Sequence, residues 1–175
     1  MSITTKRGDD GCTDLLFNRR ISKADSRIEA IGTVDELNAA LGLVRAGADE
    51  KLDQVVDSLQ AALVNLMGEL AVLPEDAERY ANSDFVSLGE ADVDRVEGQA
   101  RDLEAQGLSF DGWARPGANG NRLGAQLDVA RTICRRSERL VLALGDGVSN
   151  AFIPLFLNRV SDLLWLLARR SESQA

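Results

Sequence analysis

The chain contains no histidine. An imidazole general base, Ser-His and Cys-His nucleophile pairs and histidine-ligated zinc sites are therefore excluded. Cysteine is scarce: Cys12 and Cys134 lie far apart and form no C-x-x-C pair. No disulfide framework is expected, and a reducing compartment is the default; Cys134 reads as a small core residue. No run approaches the ~18 apolar residues of a membrane span, and M-S-I-T-T-K-R carries no apolar leader region. The expectation is a soluble, cytoplasmic protein with no membrane partner. Aromatics are only 5% and prolines number three, so Leu, Ala and Val supply the core, a mix that suits helices. Positive charge is in deficit, with a net charge of −8, which argues against nucleic acid or acidic membrane surfaces as partners.

The basic residues that are present cluster. Lys6, Arg7, Arg19, Arg20, Lys23 and Arg27 lie near the start, and Arg131, Arg135, Arg136 and Arg139 lie in one later stretch. Two local basic patches in an acidic chain suit a small polyanion such as a nucleoside triphosphate.

The length of 175 residues suits one domain with a good core, residues 1–175. Residues 1–24 are polar, rich in Gly and Asp, and without helical or strand period, which predicts a long loop. Residues 25–170 predict a bundle. A first helix spans about 26–46 with Ile28, Ile31, Val34, Leu37, Leu41 and Val44 on its apolar face, and a second spans about 50–72, from Leu52 to Leu70. The acidic run 73–86 reads as an irregular connection. A third helix covers about 87–105 with Val93, Val96, Ala100 and Leu103, and stops at Gly107. A glycine-rich loop with Phe110 and Trp113 leads to a fourth helix, about 122–144. The fifth covers about 150–170, with Pro154 in its first turn and Leu157, Val160, Leu164 and Leu167 inward. Short connections imply antiparallel neighbours. The fold class is all-α, a five-helix up-and-down bundle.

The fourth helix carries the chemistry. At about 100° per residue, Arg131, Arg135, Glu138 and Arg139 share a side with Leu127 and Leu142. Charge in an apolar stripe needs partners, because an unpaired buried charge costs several kcal/mol. Two readings follow: an anion-binding helix, or a structural ion-pair network. In the first loop, Thr5-Lys6-Arg7-Gly8-Asp9-Asp10-Gly11-Cys12-Thr13 offers unshielded backbone N–H groups, two cations, hydroxyls and acidic groups able to hold Mg²⁺ through water. It is a phosphate cradle by chemistry, although no Walker A sequence, and a flexible surface loop is the competing reading.

Together with S-K-A-D-S-R at 22–27, G-T-V-D-E-L-N at 32–38, A-R-T-I-C-R-R-S-E-R at 130–139 and F-L-N-R-V-S-D-L-L at 156–164, this loop resembles the ATP:cob(I)alamin adenosyltransferases of the five-helix-bundle type, over nearly the whole chain. The resemblance implies a homotrimer with an active site at each subunit interface and a long N-terminal ATP-binding loop. It implies transfer of the 5′-deoxyadenosyl group of ATP, with Mg²⁺, to the cobalt of cob(I)alamin or a related corrinoid. A corrinoid reductase and an adenosylcobalamin-dependent acceptor enzyme are the implied protein partners. Residue by residue, the family's ATP loop matches Thr5, Lys6, Arg7, Gly8 and Thr13, and its phosphate-contacting lysine matches Lys23. Arg135, Glu138 and Arg139 match its nucleotide-binding helix, and Asn158 its adenosine-side asparagine. Lys23 and Arg135 are the expected catalytic pair, stabilising charge on the leaving triphosphate. Asp35 and Arg131 match a pair that ties one subunit to the next, an ordinary salt bridge within one chain being the alternative. Trp113, or Phe110 in its place, matches the aromatic on the lower corrin face. No protein side chain is expected as a direct metal ligand.

Two departures stand out. Phe17 and Asn18 occupy positions where the family commonly has glycine, so the loop is expected to take another course. The stretch around Trp113 reads W-A-R-P-G-A instead of F-x-x-P-G-G, and the run to Arg131 is longer. A delivery or sensor protein that binds ATP or adenosylcobalamin without turnover is the alternative from another class, and a ligand-free scaffold is the third.

Overall fold

The computed structural model describes residue 4, residues 6–108 and residues 113–173. Thr5 and Phe110, both singled out above, lie outside the described residues. Six α-helices are present among these: α1 (Ser26–Arg45), α2 (Glu50–Leu70), α3 (Ala77–Ala81), α4 (Glu90–Glu104), α5 (Arg122–Ala143) and α6 (Phe152–Ser173). The five long ones match the expected segments within about three residues at each end. The additional one, α3, overturns the expectation of an irregular connection over 73–86. It follows a 3-10 turn at Pro74–Asp76 that buries Asp76, so an acidic run that reads as solvated surface in fact carries an inward carboxylate.

The helices begin where short polar side chains cap free N–H groups. Asp25 accepts from Arg27 N at 2.8 Å, Asp49 from Leu52 N at 2.8 Å and Asn121 from Gly124 N at 2.8 Å, each cap worth about 1 kcal/mol. Gly107, at φ +74°, sits just beyond α4 in the left-handed region that only glycine enters without strain.

The bundle core is built from Val34, Leu37, Leu41 and Val44 of α1, Leu59, Leu63, Leu66 and Leu70 of α2, Leu127 and Cys134 of α5, and Phe156, Leu157, Val160 and Leu164 of α6. α1 packs on α2 and α5, α5 on α6, and α6 on α4. The ends identify directions. Arg27 at the start of α1 reaches Gly147 beyond α5, and Gly47 meets Leu123 at the start of α5, so these two run antiparallel. Leu88 meets Asn150 and Glu97 meets Arg159, so α4 runs parallel to α6. Successive long helices thus alternate in direction. A Cβ at Gly124 would lie 3.3 Å from the Ala168 carbonyl, which is why α5 and α6 approach closely there.

The first 24 residues are not all loop. Strands β1 (Cys12–Asp14) and β2 (Arg20–Ser22) pair antiparallel, Thr13 opposite Ile21. Phe17 and Asn18 in the intervening turn take φ of +59° and +62°. They hold the left-handed conformation that a glycine would have supplied freely, at a backbone cost of order 1 kcal/mol for Phe17. Arg79 of α3 lies 4.2 Å over the Phe17 ring, and Leu16 N donates to the Ala71 carbonyl. These contacts hold the turn against the end of α2.

Arg19 completes that docking, donating from Nε and Nη2 to Asp76 at 2.5 and 2.9 Å. These hydrogen bonds hold the Asp76 carboxyl below the ordinary carboxylate range. Because the folded-state value is depressed, the stabilisation is complete above the unfolded value of about 4 and is lost as pH falls through the folded value. The hairpin is expected to undock below about pH 4 while the bundle is still folded. Amide hydrogen exchange at Leu16 and Arg19 against core amides of α6 checks this; simultaneous loss of protection in both would contradict it.

Among the described residues no single helix is long and apolar enough to cross a membrane.

Candidate functional site

The hairpin draws the basic residues of the N-terminal segment together. Strand pairing sets Asp14 opposite Arg20, and Arg20 donates to Asp10 at 2.6 Å, to Asp14 at 3.3 Å and to the Arg7 carbonyl at 2.9 Å. Arg7 in turn lies 3.1 Å from Asp14. Lys23 follows β2, and its Nζ donates to the Gly8 carbonyl at 2.7 Å. Lys6, Arg7 and Lys23 are exposed, while Gly8 and Thr13 are half-buried. The expected loop residues other than Thr5 therefore do share one small structure. Arg20, which sequence reasoning left without a role, organises it; the signal was its place opposite Asp14 across a turn.

Asp10 and Asp14 are already engaged by arginines. Arg20 holds the Asp10 carboxyl below its ordinary range, and among the described residues no cluster of three or more acidic or sulfur side chains is arranged to hold a metal.

On α5 the charged residues do not occupy the buried stripe that the pattern implied. Arg135 and Arg139 are exposed, Arg131 and Glu138 half-buried, and Leu142 is 57% exposed. The stripe that is buried runs through Leu127, Ala130, Cys134, Ser137 and Val141. Ala130, Cys134 and Ser137 are small residues that carry little apolar signal, and assigning Leu142 to the core turned the face the wrong way. The buried charge is instead Asp128, which binds Arg169 of α6 and accepts from Arg131 Nε at 3.1 Å. Arg131 is thus paired within its own chain, with Asp128 and not with Asp35, which is exposed and has no ion partner among the described residues. Its neighbour Glu36 binds Arg136.

Cys134 is fully buried and donates to the Leu157 carbonyl at 3.1 Å. Burial drives its thiol far above the ordinary range, so it serves as core and not as a thiolate nucleophile.

Two expected residues meet directly: Asn158 Nδ2 donates to Glu138 Oε1 at 3.2 Å. The antiparallel packing of α5 on α6 brings them together, and the contact continues. Arg159 Nη1 donates to Asn158 Oδ1 at 2.7 Å, and Arg159 Nε to Glu97 of α4 at 2.6 Å. Arg135 makes no side-chain hydrogen bond or ion pair among the described residues, and Arg139 donates only to the Arg135 carbonyl, at 3.0 Å. One face of α5 and α6 therefore presents two guanidiniums with no carboxylate partner among the described residues, beside an ordered amide and carboxylate. Such a face is equipped to bind an anion with a polar group attached.

No hydrogen bond or ion pair among the described residues joins this face to the hairpin. A cleft of about 310 Å³ between the end of α2, α3 and the α5–α6 connection contains none of the expected residues. Trp113 is 98% exposed, an indole without the burial that its apolar area favours.

The family model for cobalamin adenosyltransferase matches residues 3–171. The corrinoid adenosyltransferase PduO of Salmonella typhimurium is 36% identical over 180 residues, covering 100% of this chain and 51% of that protein. The chain thus spans about half the length of the PduO relatives it matches. A corrinoid adenosyltransferase of Citrobacter freundii is 36% identical over 173 residues, covering 98% of this chain and 95% of its own. Among solved structures, a variant of the PduO-type ATP:corrinoid adenosyltransferase from Lactobacillus reuteri complexed with cobalamin and ATP superposes with a TM-score of 0.86. It is 30% identical and covers 98% of this chain and 94% of that one.

Proposed function

The chain belongs to the cobalamin adenosyltransferase family, and from that premise we propose that it transfers the 5′-deoxyadenosyl group of ATP to the cobalt of a reduced corrinoid. The Co(I) centre attacks C5′, a cobalt–carbon bond forms, the C5′–O5′ bond breaks, and inorganic triphosphate leaves with the electron pair. No proton has to be removed, which accords with a chain that lacks histidine. The protein's part is placement of C5′ and neutralisation of charge on the leaving group.

The single observation that carries this reading is the pair of arginines without a carboxylate partner among the described residues, Arg135 and Arg139, beside the Asn158–Glu138 contact. Arg135 and Lys23 stabilise the triphosphate, with Lys6, Arg7, Gly8, Thr5 and Thr13 forming an N-terminal ATP-binding loop. Arg139, Glu138 and Asn158 address the nucleoside side. Mg²⁺ arrives with ATP and is held chiefly by phosphate and water, since Asp10 and Asp14 are engaged by arginines. Trp113 or Phe110 covers the lower face of the corrin, and the exposure of Trp113 suits that role.

The reading is of one domain, a five-helix bundle with α3 as an accessory turn, acting in the cytoplasm as a homotrimer with interfacial active sites. Several features support the oligomer. Among the described residues no hydrogen bond or ion pair links the hairpin to the arginine face of the same chain. Leu43 and Val129 are 61% and 55% exposed beside Ala40 and Ala125, an apolar patch on α1 and α5 that suits a subunit contact. Asp35 of one subunit is free to reach Arg131 of the next. A corrinoid reductase supplies Co(I), and an adenosylcobalamin-dependent enzyme takes the product.

The deciding experiment is anaerobic: protein, chemically reduced cob(I)alamin, ATP and Mg²⁺, followed by the visible spectrum of the cobalt–carbon product. Multiple turnovers with stoichiometric triphosphate are expected. ATP binding without product from any corrinoid would favour a delivery or sensor protein instead.

A further inference from the structure

We propose that Arg159, anchored by Glu97 of α4, is a positioning residue that selects which end of the Asn158 carboxamide faces the nucleotide. This deepens the nucleotide-binding reading and rests on the assignment of Asn158 to the adenosine side.

An asparagine amide has a donor end and an acceptor end of nearly equal size, and only its neighbours decide between the two orientations. Here both neighbours agree. Arg159 can only donate, and its Nη1 lies 2.7 Å from Oδ1. Glu138, when ionised, can only accept, and its Oε1 lies 3.2 Å from Nδ2. A rotated amide would set NH₂ against the guanidinium and oxygen against the carboxylate, losing both bonds at once.

The guanidinium itself is fixed from a third helix. Glu97 accepts from Arg159 Nε at 2.6 Å, so the two groups form a relay across α4 and α6 that ends at the amide, while Glu138 closes it from α5. Asn158 keeps one free N–H and one free lone pair. In that order they present a defined donor and acceptor to a ligand, and a heterocycle with an adjacent acceptor and donor is recognised only when the order is correct. Arg159 and Glu97 are partly exposed, with side-chain exposures of 36% and 30%, so their ion pair alone contributes little to folding. What they contribute is orientation.

The role separates from a structural one by ligand. Inorganic tripolyphosphate carries the charge that the arginines bind but no adenosine. Calorimetric titration of the full chain with ATP and with tripolyphosphate, for the parent, Arg159→Met and Glu97→Gln, reads both halves of the site. ATP affinity is expected to fall about tenfold in Arg159→Met, about 1.4 kcal/mol, and less in Glu97→Gln, with tripolyphosphate affinity unchanged within about twofold. In an Asn158→Ala background, Arg159→Met is expected to add almost nothing, because residues acting through one another are not additive. Equal weakening of both ligands, unchanged ATP affinity, or full additivity with Asn158→Ala overturns the proposal. Should Arg159→Met not fold, Glu97→Gln carries the same comparison. A parent chain that binds no ATP would overturn the nucleotide reading itself; a parent that binds while both variants match it overturns only the role of Arg159.

Discussion

Arg135→Ala is expected to lower kcat/KM for ATP by about 10²- to 10³-fold, the range for removing one preorganised donor from a developing negative charge. Thermal stability should hold. The Arg135 side chain is exposed and makes no hydrogen bond or ion pair among the described residues, and surface substitutions of that kind shift stability by about 0.5 kcal/mol or less. The same freedom is what the chemistry requires, since a guanidinium already committed to a carboxylate has less to offer a triphosphate. Arg135→Lys should retain part of the activity, because it keeps the charge and loses the planar fork. Steady-state kinetics paired with thermal melts decide the matter. A fall in helicity that tracks the fall in activity would make Arg135 a structural residue and would remove the main support for the proposed site.

Arg27→Ala should have the largest effect on folding. Arg27 is 6% exposed and sits at the start of α1, where it donates to the carbonyls of Leu70 at 2.7 Å, Val72 at 3.0 Å and Gly147 at 2.6 Å. It closes the C-terminal end of α2, where free carbonyls gather negative charge, and ties that end to the α5–α6 connection. Burial pulls its pKa down from the ordinary arginine value, yet an arginine stays protonated at any working pH. Removal of the side chain leaves three carbonyls without partners, at a cost of about 3 kcal/mol, or a fall in Tm of about 6–12 °C for a domain of this size. Arg27→Met keeps most of the volume and separates packing from hydrogen bonding. Thermal melts of the two variants measure the cost, and a shift within about 1 °C would mean that water replaces the guanidinium. Because the hairpin turn docks on the neighbouring Ala71 carbonyl, its amides should also lose exchange protection in the alanine variant.

Much of this architecture is legible locally. The leucines of α2 recur at helical spacing, and the caps Asp25, Asp49 and Asn121 stand where the apolar pattern starts. The hairpin was not legible, because strands of three residues are too short to show an alternating period and the turn between them carries Phe17 and Asn18 at positive φ without a glycine to mark it. Helix α3 was hidden by an acidic run whose Asp76 turns inward to Arg19. Of the side chains that meet at the candidate site, Glu138 and Asn158 were singled out through resemblance. Glu97 and Arg159 were not, since they stand 62 residues apart and each alone resembles any solvated charge.

By itself the sequence determined the helical class, the approximate bounds of the five long helices, the lack of any imidazole in this chain and the gathering of its basic residues into two stretches. These follow from periodicity and composition, which are properties of neighbours along the chain. The tertiary structure decided which face of α5 is buried, that Asp128 and not the arginine cluster carries its inward charge, and that Arg27 is satisfied wholly by backbone. The physical reason is that a carbonyl partner has no residue identity and an antiparallel contact has no fixed sequence separation, so neither leaves a pattern until the chain has folded.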